Sequence, residues 1–334
     1  MATIYNSASN TLLSGTGGND SILNGGIWDN TEYDGGSVVT INALGGDDYI
    51  QNVRENASIN AGDGNDSIQN SGSKALIDAG AGNNSIESWG NNVSINAGVG
   101  NDSIDNFDAF NVTINAGSGN DKIYNSTSGD SVKIATGAGN DSIYNICISN
   151  VSINAGSGND SIDSSCNNVT INTGSGNDTI LGDGESISIA AGTGDDYIYN
   201  GFDAVYVKID GGAGDDSIYN KGFDASINAG ARNDLISLSS YAKYSLIEYA
   251  AGDGFDTIVG FDESDTLQIG GGTGTYSSQV SGNNIVVTVG DGFLGDGQHR
   301  RRKNSRGLLE ARRDDCDLQH GRKKFDDGQR RDLH

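Results

Sequence analysis

The 334-residue chain contains no proline. No turn can therefore rely on proline's fixed φ. Histidine is also missing from residues 1–292, since the three in the chain are His299, His320 and His334. Their absence excludes a Ser-His-Asp triad and a His-ligated zinc from that stretch. Three cysteines are too few for a disulfide scaffold. Hydrophobic residues make up only 34%, which suits a thin core rather than a thick one. No apolar run approaches the ~18 residues that would span a bilayer. Basic residues number 20 against 45 acidic ones, a net charge of −25. Such an excess argues against nucleic acid as a partner and favours cations.

Met1–Asn10 shows no basic stretch followed by an apolar one, so no cleaved signal peptide is expected. The chain either stays in the cell or leaves by a route without an N-terminal signal. Composition changes near residue 292. From Phe293 to His334 there is no Ile, Val, Thr or Tyr, and 12 of the 20 basic residues lie there. Residues 1–292 keep 8 basic and 37 acidic residues, a net −29. The tail reads either as a basic arm or as translation in a shifted frame, which the coding DNA would distinguish.

What the chain has in abundance is repetition. Gly occurs 51 times. One Ile recurs from Ile41 through Ile59, Ile77, Ile95 and Ile114 to Ile227, at steps of 18 to 20 residues. A second Ile follows each by nine, from Ile50 to Ile236, and the segments between read AGDGNDSI, AGVGNDSI, AGSGNDSI and TGSGNDTI. Eleven in-phase copies signal a solenoid. Each period carries two short strand patterns, Val-x-Ile and one centred on the second Ile, with Ser, Thr or Asn facing away. The expected fold is all-β: a parallel β-roll or β-solenoid of about 18–20 residues per turn and roughly twelve turns, its strands stacked at ~4.8 Å. Asn recurs two residues after the second Ile, as at Asn52, Asn70, Asn106 and Asn125, an inward rank whose side chains can bond one another. Tyr124, Tyr144, Tyr199 and Tyr219 form an outward rank, suited to stacking between turns.

The expected organisation is an N-terminal cap with irregular turns over 1–40, a regular solenoid over 41–250, a closing segment over 251–292, and the basic tail over 293–334. Paired glycines, such as Gly117 and Gly119, permit positive φ and a tight loop. Asp follows two residues later, giving Asp66, Asp102, Asp121, Asp141, Asp160, Asp178, Asp196, Asp216 and Asp256. Stacked one turn apart, neighbouring carboxylates would repel by about 3.5 kcal/mol at an effective dielectric of ~20. A hard divalent cation reverses the sign. Ca²⁺ accepts six to eight oxygens in flexible geometry, whereas Mg²⁺ demands a strict octahedron and Zn²⁺ prefers His or Cys.

These turns resemble the haemolysin-type (RTX) nonapeptide G-G-x-G-x-D-x-U-x, over about residues 14–269. The resemblance implies a calcium β-roll, ions held by the motif Asp and turn carbonyls, folding on calcium, and secretion by a type I exporter. The expected metal residues are the nine Asp above with Asp20, Asp48 and Asp234. Departures from the family pattern are informative. The other half-turn lacks the Gly pair, so calcium is expected along one edge. Asn84 replaces a motif Asp, Arg232 replaces the second Gly before Asp234, and the Gly register is altered around Asp20 and Asp48. The stretch GFDESDTLQI resembles a closing segment in which Asp265 takes the motif position.

Other chemistries fare worse. No helix pattern follows the glycines, as a phosphate-binding loop requires. The carboxylates are equivalent copies, which gives a glycosidase no distinct acid and base. Neither H-E-x-x-H nor G-x-S-x-G occurs, and residues 1–40 leave no room for a catalytic domain, so no enzyme is expected. A secreted structural, adhesive or surface-associated role is expected, with a cell-surface or matrix partner. The alternatives are the secretion roll of a larger hydrolase and an ice-binding face. The latter resembles the ice-binding RTX segment of a bacterial adhesin, which needs a regular Thr rank. Here the position between the glycines holds Asp63, Ala81, Val99, Ser118, Ala138, Ser157, Ser175, Thr193 and Ala213. Cys147 and Cys166 lie four residues after the second Ile of neighbouring turns, within reach of a disulfide or simply two small side chains. Cys316 falls in the tail.

Overall fold

The computed structural model describes residues 2–6, 12–25, 38–127, 131–147, 149–250 and 252–270, together with strands Tyr276–Ser281, Asn284–Val289 and Lys323–Lys324. Side chains of Asn6, of Thr127, of Cys147 and beyond residue 270 lie outside the description, as does most of the basic tail. The described residues contain strands and turns and no helix. They build a parallel β-solenoid of about 13 turns with about 19 residues per turn. Two compact units are distinguished, Met1–Gly174 and Ser175–His334.

In the first unit each turn supplies one strand to each of two parallel sheets. The pairing is in register with the repeat. Ile95 pairs with Ile114, Ile114 with Ile134, and in the other sheet Ile104 with Ile123. All of these are buried. Period-2 alternation is the cause: Val112–Ser118 reads buried-exposed-buried from Val112, so its Val and Ile face inward and its Thr outward. The Asn rank also points inward. Asn106 Nδ2 donates to Asn125 Oδ1 at 2.7 Å, and Asn125 Nδ2 to Asn145 Oδ1 at 2.6 Å. On the outer face Trp89, Phe107, Tyr124 and Tyr144 follow one another with ring centroids 5.4, 5.9 and 5.5 Å apart.

The second unit repeats the pattern. Ile198 pairs with Ile218 and Ile218 with Ile236, while Ile189 pairs with Ile209 and Ile209 with Ile227. Asn200 Nδ2 donates to Asn220 Oδ1 at 2.6 Å. The Tyr rank is less regular than expected. Tyr219 packs on Tyr197 rather than on Tyr199, and the ammonium of Lys221 sits over the Tyr199 ring, 4.9 Å from its centroid.

As far as Ile236, turn length varies on one side of the coil only. From the first Ile to the second the count is nine in every copy of the repeat, whereas the return takes 9 to 11 residues: nine from Ile50 to Ile59, ten from Ile104 to Ile114 and eleven from Ile123 to Ile134. Extra residues thus fall at the corner opposite the glycines. That corner turns on left-handed residues such as Asn56 (φ 58°), Asn92 (φ 59°) and the pair Asp108 (φ 49°) and Asn111 (φ 54°), and Asn tolerates this conformation best among non-Gly residues. Cys166 is buried and disulfide-bonded.

Candidate functional site: the glycine-aspartate corner

The constant nine-residue half contains the Gly-x-Gly-x-Asp corner. Its glycines are obligatory for two reasons. Gly117 and Gly119 have φ of 110° and 129°, and a Cβ on either would lie 1.9 Å from the carbonyl oxygen of the equivalent glycine, Gly98 or Gly100, in the preceding turn. Successive corners therefore stack backbone on backbone, with their peptide groups crowded together. The intervening residue points out to solvent, as Val99 does.

The motif Asp side chains point inward. Asp20, Asp48, Asp66, Asp102, Asp121, Asp141, Asp160, Asp178, Asp196, Asp216 and Asp234 are each 1–2% exposed and Asp256 8%. A solvated acidic face is excluded by that burial. In the first unit the backbone N–H at this position, from Asp20 to Asp141, donates to the side chain of the next turn. Asp48 donates to Asp66 Oδ1 (2.8 Å), Asp102 to Asp121 (2.8 Å), Asp121 to Asp141 (2.8 Å) and Asp141 to Asp160 (2.8 Å). In the second unit the same bond joins Asp178 to Asp196 (2.7 Å), Asp196 to Asp216 (2.8 Å), Asp216 to Asp234 (2.8 Å) and Asp234 to Asp256 (3.0 Å). Arg232 takes a positive φ of 102°, so Asp234 keeps its place in the column despite the lost glycine.

At eight of these Asp one carboxylate oxygen is satisfied and the other is not. Oδ2 of Asp48, Asp66, Asp102, Asp121, Asp141, Asp196, Asp216 and Asp234 is buried without a hydrogen-bond partner in the protein. Such an atom is costly, and a column of them is more so. Burial, the largest cause, pushes Asp66, Asp121, Asp216 and Asp234 up to about 6 and Asp196 and Asp256 up to about 7, despite the N–H bonds that oppose it. Neighbouring carboxylates add to the rise at each of them.

A backbone carbonyl lies close to Oδ2 where the structure shows its neighbours. At Gly211 an added Cβ would meet Ala229 O at 2.3 Å and Asp216 Oδ2 at 2.7 Å, which places a carbonyl and the unpartnered carboxylate oxygen around one point. Buried oxygens facing one another call for a positive charge between them, and the donor set suits a hard cation. Among the described residues no three His, Cys, Asp or Glu side chains group closely enough to hold a metal ion by themselves. An ion here would draw on backbone carbonyls as well as on Asp. The residues present therefore fit Ca²⁺.

Two positions depart from the column. Asp20 has both oxygens engaged: Oδ1 accepts from Ala2 N–H (2.6 Å), and Oδ2 from the Thr16 N–H (2.6 Å) and hydroxyl (2.9 Å). Those bonds hold its carboxyl below the usual value. Asp265 is a correction to the sequence reading. Thr266 pairs with Leu246, and Asp265 Oδ1 accepts from Ser245 N–H at 3.0 Å. The column it enters is that of Val207, Ala225 and Ser245, across the coil from the motif corner, and its Oδ2 accepts from Asp262 N–H.

Sequence reasoning also missed an outer Asn rank. Asn65, Asn83, Asn101 and Asn120 each accept, through Oδ1, the backbone N–H of the Asn one turn on, at 2.8, 2.7, 2.6 and 2.7 Å. The repeated N-D pair was the signal available for it.

The chain matches no protein-family model and no curated protein. Among solved structures it is similar to a hyperactive, Ca²⁺-dependent, β-helical antifreeze protein from an Antarctic bacterium, with a TM-score of 0.59 and 23% identity over 77% of this chain and 82% of that one. A hyper-glycosylated TibA fragment also matches over 80% of this chain, but with a TM-score of 0.23 and 13% identity it carries no argument.

Proposed function

We propose that this protein is a secreted, non-enzymatic calcium-binding solenoid of the RTX kind, which takes up Ca²⁺ along its glycine-aspartate corner. The column of buried Oδ2 atoms without protein partners carries the reading. Asp48, Asp66, Asp102, Asp121, Asp141, Asp196, Asp216 and Asp234 would hold the ions, with Asp160, Asp178 and Asp256 in the same columns and glycine-corner carbonyls as co-ligands. Asp20, already bonded through both oxygens, is the weakest member. The ion supplies the positive charge that this corner lacks. The chain supplies pre-aimed oxygens, glycine carbonyls and an Ile-filled core that holds the turns in register. Export without an N-terminal signal and a structural, adhesive or surface-associated role follow from the RTX resemblance. Equilibrium dialysis should show several Ca²⁺ per chain, and circular dichroism should show strand content rising on calcium addition but not on magnesium. A spectrum indifferent to calcium, with no ion retained, refutes the proposal.

A second reading has a specific observation behind it. The outer Asn rank presents side chains at one-turn intervals beside the corner, and the similar solved structure is an antifreeze protein. An ice-binding face would use that rank, although the residues between the glycines are irregular. Thermal hysteresis in calcium tests it, and freezing behaviour equal to that of an unrelated protein at the same concentration rejects it.

A further inference from the structure

Asn84 occupies a motif-Asp position and shares its geometry. It is buried, its Oδ1 accepts from Asp66 N–H at 3.0 Å, and its own N–H donates to Asp102 Oδ1 at 2.7 Å. The difference lies in its other branch. Asn84 Nδ2 donates to Gly82 O at 3.3 Å and to Ala97 O at 3.2 Å. Gly82 lies two residues before Asn84, and Ala97 lies five residues before the Asp of the next turn. At Asp66 the corresponding carbonyls belong to Gly64 and Ala79, and there the second branch is an oxygen with no partner.

Other turns support the correspondence. Ala229 stands to Asp216 as Ala97 stands to Asn84, and its carbonyl and Asp216 Oδ2 both lie within 3 Å of the point a Gly211 Cβ would take. Ala43 and Asp20 Oδ2 meet Gly15 in the same way, at 2.6 and 2.8 Å. Where Thr136 replaces the usual Ala, its hydroxyl donates to Ala155 O at 2.9 Å, again filling a carbonyl of this class with a donor. At Asn84 and Thr136 the chain itself supplies a donor to these carbonyls.

We infer that the Asn84 carboxamide is a built-in substitute for the cation: its NH₂ bridges the two carbonyls that an ion would bridge at an Asp turn. The column of Met1–Gly174 is then divided into two calcium arrays, one at Asp48 and Asp66 and one beginning at Asp102, joined by a link that needs no metal. This rests on the calcium reading of the corner and adds to it a position where the chain itself supplies the donor.

The test is Asn84→Asp in the full chain, with Asn83→Asp as control. Asn83 is the exposed neighbour, and its N–H and Oδ1 belong to the outer rank. At saturating calcium, equilibrium dialysis with metal analysis should find one more ion per chain in N84D and no additional ion in N83D. In EDTA N84D should melt below the wild type, and calcium should restore it. Asn84→Ala separates the two effects: it should also melt lower in EDTA, with no gain in calcium. Calcium uptake by the wild type with no additional ion in N84D overturns this inference alone. A wild type that binds no calcium overturns the calcium reading and this inference with it.

Discussion

Replacing Asp121 by Asn should strengthen the protein without calcium and weaken its response to calcium. Asp121 is buried, Oδ1 accepts from Asp102 N–H at 2.8 Å, and Oδ2 has no partner. The substitution conserves volume and keeps Oδ1 as acceptor. It turns Oδ2 into a donor facing carbonyls, the arrangement already present at Asn84. A buried polar group without a partner costs about 1–3 kcal/mol, and a charged one more, so D121N should gain at least about 1–3 kcal/mol in EDTA. Calcium at ~100 times its dissociation constant stabilises a single-site protein by about 2.7 kcal/mol. D121N forfeits that at one site. The difference between its calcium-loaded and metal-free stabilities should therefore shrink by about 2.7 kcal/mol relative to the wild type. Urea unfolding followed by circular dichroism, in EDTA and in calcium, measures both quantities. A D121N protein less stable than the wild type in EDTA would refute the reasoning, since it would mean that the carboxylate is supported by the apo fold.

The metal-free protein should respond to pH in the unusual direction. Asp196 and Asp256 at about 7, and Asp66, Asp121, Asp216 and Asp234 at about 6, hold protons in the fold that the unfolded chain releases near 3.8. Because the native state binds more protons, this contribution to stability is complete below about 3.8 and is lost as pH rises through 6 to 7. Melting in EDTA should accordingly move upward between pH 8 and 5, and a maximum at pH 8 would contradict it. Gly119→Ala should abolish or severely weaken folding, because its Cβ would sit 1.9 Å from Gly100 O at a φ of 129°; strain alone costs about 1–3 kcal/mol. Gly17→Ala, with nothing within 4 Å of its Cβ, should leave the melting temperature unchanged. Asn125→Ala strips Asn106 Nδ2 of its acceptor and should cost about 1–3 kcal/mol equally in EDTA and in calcium, which separates the structural Asn column from the calcium corner.

The repeat made much of the fold legible beforehand. A residue that returns every 18 to 20 positions in a coil must stack on its own copies, so the Ile rows, the inward Asn column and the glycine corner follow from spacing and side-chain alternation. The same phase placed Asp66, Asp121 and their equivalents in one column and marked Asn84 as an exception. Arg232 was harder to read, because sequence shows a lost glycine but not that the backbone holds positive φ there. Asp265 was misread for a related reason. From Ile247 to Ile258 the constant nine becomes eleven, so spacing no longer reports register, and only the pairing of Thr266 with Leu246 locates the column.

Sequence alone thus determined which residues share a column, because stacking follows from periodicity. Tertiary structure decided which atoms of those residues meet. At Asp66, Asp121 and their like, one carboxylate oxygen is bound to the neighbouring turn and the other has no hydrogen-bond partner in the protein, since the direction of a side chain about its own bonds is set by close packing between turns. The amide of Asn84, aimed at Gly82 O and Ala97 O, is the plainest case: its letter in the sequence shows a missing charge, and the fold shows what stands in for the ion.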